Sequence, residues 1–180
     1  MIRSAILLSG GMDSTSLAFW KKPNHAFTID YGQKAAQAEI RAARQIAKEI
    51  GIDHDTITVD CSSLGSGDMA TTDSLPCAPS TDWWPFRNQL IITLAAMKAI
   101  GVNVNLLYVG LVKNDSTFKD SDLKFVNLIS KALYFQEGGV KVAAPAVAMT
   151  AVELIKISKI PRSLLAWSHS CHVSDFSCGR

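Results

Sequence analysis

The chain of 180 residues has no apolar run long enough to cross a bilayer as a helix, which takes about 20 residues. Only a few apolar residues separate Met1-Ile2-Arg3 from Ser9, too few for a secretory signal. The expected location is therefore cytoplasmic. Charge of one sign is also lacking: 18 Lys and Arg stand against 16 Asp and Glu, a net charge of +2. So small an excess gives no basis for a nucleic-acid partner or an anionic membrane. Cysteine is sparse. Without an export signal, the four cysteines are expected to be thiols or metal ligands, not disulfides. Internal repeats and low-complexity tracts are absent. What is present is 48% apolar residue content, enough for one globular domain with a substantial core.

The most informative stretch is also defined partly by absences. Ser9-Gly10-Gly11-Met12-Asp13-Ser14 follows the apolar run Ala5-Ile6-Leu7-Leu8 and precedes Thr15-Ser16-Leu17-Ala18-Phe19-Trp20, which can wind as a helix. A strand-to-helix turn of this kind lies at the carboxyl ends of the strands in a parallel sheet, where ligands bind. The paired glycines allow close backbone approach. The amides entering the helix favour an anion, and Ser9, Ser14 and Thr15 add hydroxyls. The turn lacks the lysine of a Walker loop and the third glycine of a dinucleotide fingerprint. It also lacks the Gly-x-Ser-x-Gly of a nucleophile elbow. A phosphate cradle of another kind remains.

Along the chain, His25–Asp30 reads as a second strand ending in the turn Tyr31-Gly32-Gln33. Ala36, Ile40, Ala43, Ala47 and Ile50 recur at helical spacing, with Arg41, Arg44, Lys48 and Glu49 off that face and Gly51 suited to the end. Asp55–Asp60 alternates and predicts a third strand. Leu90–Ile100 and Asp122–Leu133 predict helices, the second with Phe125, Ile129 and Ala132 inward. Asn105–Gly110 and Val140–Ala143 predict strands four and five. Thr150 and Glu153 form a capping-box pattern before another helix. After Pro161 the chain reads as irregular. Strand–helix alternation predicts an α/β fold: an open, mostly parallel sheet with helices on both faces. Between Cys61 and Pro85 lies a long loop rich in turn formers, expected to act as a mobile lid with Trp83 and Trp84 as packing residues.

Ser9–Ser14 resembles the pyrophosphate loop of the N-type ATP pyrophosphatases, whose fold is that of the adenine nucleotide alpha hydrolases. Asp30-Tyr31-Gly32-Gln33, Pro85-Phe86-Arg87-Asn88, Val109-Gly110, Thr150–Lys156, Trp167-Ser168 and Cys171…Cys178-Gly179 extend the resemblance over nearly the whole chain. Together they are similar to the 7-cyano-7-deazaguanine synthases of queuosine biosynthesis. That resemblance implies an ATP-dependent, AMP-forming ligase. Such an enzyme joins ammonia to 7-carboxy-7-deazaguanine and makes the nitrile through adenylated intermediates. It implies Mg²⁺ on the phosphates and Zn²⁺ held by cysteines.

The nucleotide-binding set it implies is Leu8, Ser9, Gly10, Gly11, Met12, Asp13, Ser14, Thr15, Asp30 and Gly110. Ser9, Gly10, Gly11 and Ser14 would hold pyrophosphate, and Asp13 would orient the loop or help hold Mg²⁺. Arg87 would neutralise phosphate or the substrate carboxylate. Asp30 contacts ribose or simply ends its strand. Asn88 caps the following helix. The implied partners are a small carboxylate and ammonia, with a homodimer left open.

The chain also departs from the family pattern. Lys34-Ala35 replaces Arg-His, and Phe86 replaces a glycine, which would narrow that turn. Asp115–Asp122 replaces the segment that lines the base site, leaving the identity of the acid open. The other readings are a diverged relative that makes an amide from another carboxylate, a tRNA-modifying pyrophosphatase, and a non-catalytic nucleotide-binding module. Residues 1–160 would form the ATP pyrophosphatase domain and 161–180 a tail with part of a zinc site, Cys171 and Cys178. The chain stops at Arg180, one residue before the third zinc ligand of the family pattern. Either the chain is cut short of its remaining ligands, which is the favoured expectation, or His169 and His172 make up the set, or no metal binds; as given, the tail is expected to be loosely held.

Overall fold

The computed structural model describes residues 3–113 and 118–176. Five short segments become strands: β1 Ser4–Leu7, β2 His25–Asp30, β3 Asp53–Thr58, β4 Leu106–Tyr108 and β5 Lys141–Ala143. They form one sheet in the order β3-β2-β1-β4-β5, and every neighbouring pair is parallel. The helices are α1 Met12–Lys21, α2 Ala36–Ile50, α3 Arg87–Gly101, α4 Leu123–Phe135, α5 Ala151–Ser158 and α6 Arg162–Leu165.

Alternate strand residues point to opposite faces, and two cores result. Ala5, Leu7, Phe27 and Leu107 pack with Ile92, Ala96 and Val126 on the α3–α4 side. Ile6, Leu8 and Ala26 pack with Leu17, Ala43, Ile46 and Leu164 on the α1–α2–α6 side. Each fully buried Leu, Ile or Phe contributes about 1.5–3 kcal/mol of transfer free energy. These contacts fix the strand ends from which the site is built.

Several elements differ from expectation. Helix α1 begins at Met12, inside the glycine loop, with Gly11 as its extended N-cap. Strand β3 starts two residues early because its register follows β2, His25 against Asp53 through Asp30 against Thr58. On α4, Val126 and Ile129 are buried while Ala132 is exposed, since the sheet lies under the stripe through Val126, Ile129 and Leu133. The chain after Pro161 is not wholly irregular: α6 inserts Leu164 into the second core.

Described residues of the tail hydrogen-bond back to the domain. The His169 amide donates to the Gly10 carbonyl at 2.9 Å. Asp175 accepts from the Ala38 amide at 3.0 Å, at the start of α2. Within residues 61–85, two single 3₁₀ turns, Ser62–Leu64 and Gly67–Met69, and buried Met69, Ala70 and Trp84 pack parts of the loop on the core, while residues 71–77 are exposed. Trp84 meets the Tyr31 ring edge-on at 4.9 Å, in the packing role expected of it.

Candidate active site

The sheet order reverses direction at β1. From there β2 and β3 extend to one side and β4 and β5 to the other. The crevice at such a switch point is where open α/β sheets bind ligands. The loop after β1 and the loop after β4 meet there. A Cβ on Gly110 would lie 3.0 Å from Ser14 Cα and 3.2 Å from its amide nitrogen, so only glycine lets the two loops approach this closely.

Gly10 is more constrained still. Its φ is +81°, and a Cβ there would lie 2.7 Å from Ala42 Cβ and 3.2 Å from the Glu39 carbonyl oxygen. The loop is thereby clamped on α2. Gly11 caps α1 without any side-chain hydrogen bond, which leaves that helix end as an anion site. Ser9 Oγ lies 3.2 Å from Ser14 Oγ and accepts the Gly11 amide at 3.4 Å. Thr15 is different. It is fully buried, and its hydroxyl donates to the Gly11 carbonyl at 2.7 Å, so it braces the loop from behind.

A cavity of about 410 Å³ opens over this loop. Leu8, Ser9, Gly11, Met12, Asp13, Ser14 and Gly110 line it, and so does Arg87 from the start of α3. Gly10 and Thr15 shape the loop without lining the cavity. Asp30 also stands outside the lining. Its carboxylate accepts the Gly32 amide at 3.2 Å and holds the turn after β2. Asn88 does not cap α3. It is the helix's second residue, and its amide group donates to the Asp120 carbonyl at 3.2 Å, tethering the segment that precedes α4. Phe86 does not narrow its turn either. Its backbone is left-handed, φ +57°, and its ring is 76% exposed. The glycine expected there suits the backbone conformation, not the space.

Sequence reading did not single out Glu39, which also lines the cavity. A signal was there: Glu39 lies three residues after Ala36 and four before Ala43, on the apolar face of α2. Burial pushes its carboxyl up to about 7, against the opposing hydrogen bond from Gln33 and the charge of Arg87. Gln33 is itself buried. Its Nε2 donates to Glu39 Oε2 at 2.9 Å and to the Ile29 carbonyl at 3.0 Å, while its Oε1 accepts the Tyr31 amide at 2.9 Å. Burial likewise raises the Tyr31 hydroxyl, which accepts a hydrogen bond from Arg87. The Arg87 guanidinium also donates to Met69 Sδ at 3.0 Å. The Tyr31-Gly32-Gln33 turn is thus the frame that holds Glu39 and Arg87 beside the loop.

From the tail, His169, Ser170 and His172 complete the cavity wall. The His169 ring is turned into the tail itself, with Nε2–H shared between the carbonyls of Cys171 and Ser174 at 3.0 and 3.1 Å.

Asp13, Ser9 and Ser14 offer hard oxygens close together at the helix start, a donor set suited to Mg²⁺ with bound phosphate. Zinc is not matched in the same way. Among the described residues no three His, Cys, Asp or Glu side chains come together as a metal site. Cys61, Cys77 and Cys171 form no disulfide among the described residues, and Cys178 lies outside them. Positions 115–117 of the altered base-site segment also lie outside them.

Fold and site together define a class: a parallel α/β protein with the architecture of the ATP pyrophosphatases, its glycine–serine loop set at the switch point of the sheet. The solved structure of NMN synthetase from Francisella tularensis shares the fold, with a TM-score of 0.53 at 17% identity over 96% of this chain and 68% of that one. The family model described as queuosine biosynthesis protein QueC matches residues 3–180, and the chain belongs to that family. Among curated relatives, the 7-cyano-7-deazaguanine synthase of Methanothermobacter thermautotrophicus is 27% identical, over 99% of this chain and 89% of its own length. The synthase of Methanocaldococcus jannaschii is 28% identical over 95% and 84%. That of Chlorobaculum parvum is 27% identical over 99% and 86%.

Proposed function

We propose that the chain is an AMP-forming ligase that converts 7-carboxy-7-deazaguanine, ATP and ammonia to 7-cyano-7-deazaguanine. The observation that carries the reading is the clamped Ser9–Ser14 loop, which presents hydroxyls and a helix start to the cavity at the sheet's switch point. Membership of the family and the activity of its named relatives support the choice of acid.

The chemistry suits the residues. A carboxylate is a poor electrophile, and its attack on the α-phosphorus of ATP makes an acyl-adenylate with AMP as leaving group. Ser9, Gly11 and Ser14 would hold the departing pyrophosphate, and Arg87 would neutralise charge on the phosphate or the acid. Asp13 would hold Mg²⁺, which supplies charge neutralisation on the phosphates when bound. Ammonia then displaces AMP to give the amide. A second adenylation, on the amide oxygen, permits loss of AMP as the C≡N bond forms. The protein supplies position and charge, and little covalent chemistry.

The test is incubation with 7-carboxy-7-deazaguanine, ATP and ammonium, read by mass spectrometry. The expected product is the nitrile, and Asp13→Ala should lower its rate at least about 100-fold with an unchanged circular dichroism spectrum. Absence of any acid-derived product in the wild type would refute the assignment.

A further inference from the structure

The reaction needs a nitrogen nucleophile, yet at neutral pH nearly all ammonia in water is ammonium, which has no lone pair. A group in the cavity that held the cation and took a proton from it would supply the nucleophile where it is needed. Glu39 is placed for both. Its carboxyl lines the cavity. Its main chain abuts Gly10 of the phosphate loop, so the side chain is tied in position to the atoms that hold pyrophosphate. One carboxylate oxygen is pinned by Gln33 at 2.9 Å, and Gln33 in turn is locked by Ile29 and Tyr31. A carboxylate held this rigidly loses little on binding a cation.

The groups that face Glu39 set its affinity for protons. Asp30, at the end of β2, disfavours its charge, and Arg87, from α3, favours it. The Tyr31 hydroxyl stays protonated beside Arg87. Asp13 and the tail residues His169 and His172 share the cavity. Burial outweighs the Gln33 hydrogen bond and the Arg87 charge, so Glu39 exchanges a proton near the pH at which the chain would work.

We propose that the Glu39 carboxylate binds the ammonium ion and takes its first proton, so that ammonia is released inside the cavity against the acyl-adenylate. The proposal rests on the function inferred above. In the step, an N–H bond of ammonium breaks and an O–H bond forms on Glu39. The freed nitrogen lone pair forms the C–N bond at the acyl carbon, and the carbon–oxygen bond to AMP breaks with its electron pair going to the phosphate. The second proton, now on a strongly acidic nitrogen, passes to water, and Glu39 then releases the first.

Hydroxylamine separates this role from a structural one, because at neutral pH it is unprotonated and needs no base before attack. In Glu39→Gln the ratio of kcat/KM for hydroxylamine to that for ammonium should rise at least about tenfold over the wild type. An unchanged ratio, whether both values fall or neither does, would overturn the proposal. The wild type gives an independent reading that does not depend on the variant folding. Its kcat/KM for total ammonium should level off above about pH 7.5, because Glu39 is then ionised and ammonium still predominates. A continued tenfold rise per pH unit up to pH 9 would mean that free ammonia enters from solution, and the proposal would fall. Failure of the parent reading looks different: the wild type would form no AMP with the acid under any nucleophile, and both inferences would go.

Discussion

Glu39 and Phe86 both depart from the behaviour of their residue type. The Glu39 carboxyl is pushed up to about 7 by burial. Between its ordinary value near 4.5 and about 7 the folded state therefore binds more protons than the unfolded state. Stability falls as pH rises through that window and is constant above it. Glu39→Gln removes the ionisation. It should be more stable than the wild type at pH 8, on the order of 1–3 kcal/mol, and the difference should vanish by pH 4. Urea titrations at the two pH values check this, and a variant less stable at pH 8 would contradict the assigned cause. Phe86 holds φ +57° with its ring in solvent. A left-handed non-glycine residue costs about 1–2 kcal/mol, partly offset by the chain entropy that glycine brings. Phe86→Gly should therefore stabilise the fold by about 0.5–1 kcal/mol, seen as a higher urea midpoint with an unchanged slope. A lower midpoint would mean that the ring makes contacts worth more than the strain.

At the scale of elements, local chemistry accounts for the helix starts that the sequence announced. Thr150 Oγ1 accepts the Glu153 amide at 3.2 Å, and Glu153 Oε2 accepts the Thr150 amide at 2.8 Å. The Thr150 amide, and with it the Thr150 hydroxyl donating to the same oxygen at 2.9 Å, hold the Glu153 carboxyl below its usual range. Thr150→Ala should cost about 1 kcal/mol, measured by thermal unfolding, and a change within error would show the cap to be redundant. Where period and turn chemistry agreed, boundaries were legible: β2 at His25–Asp30 and α2 at Ala36–Ile50 came out as read. They were not legible where tertiary contacts decide. Gly11 as an extended N-cap starts α1 at Met12, because the loop is bent by its clamp on α2 and not by any local stop signal. β3 takes its register from β2. Glu39 was hidden because a single charge on an apolar stripe reads as noise until the cavity it borders is seen. His169, Ser170 and His172 stand close together in the sequence, but the main-chain hydrogen bond from His169 to Gly10 carries no side-chain signature.

At the scale of the molecule, the sheet order places the β1 and β4 loops side by side, and His169, Ser170 and His172 of the tail lie against the same cavity. The phosphate loop leaves β1 near the start of the chain, and the tail returns 159 residues after Gly10 to bond it at His169. One clamped loop, one arginine from α3 and one buried carboxylate from α2 then face a single cavity. The central claim is that this loop holds pyrophosphate as a leaving group, so that ATP is cut between its α- and β-phosphates. The most direct measurement is the identity of the nucleotide product when the purified chain turns over ATP with 7-carboxy-7-deazaguanine and ammonium. Chromatography of the quenched reaction should give AMP and pyrophosphate in equal amounts, both dependent on the acid. Formation of ADP and phosphate would contradict the account.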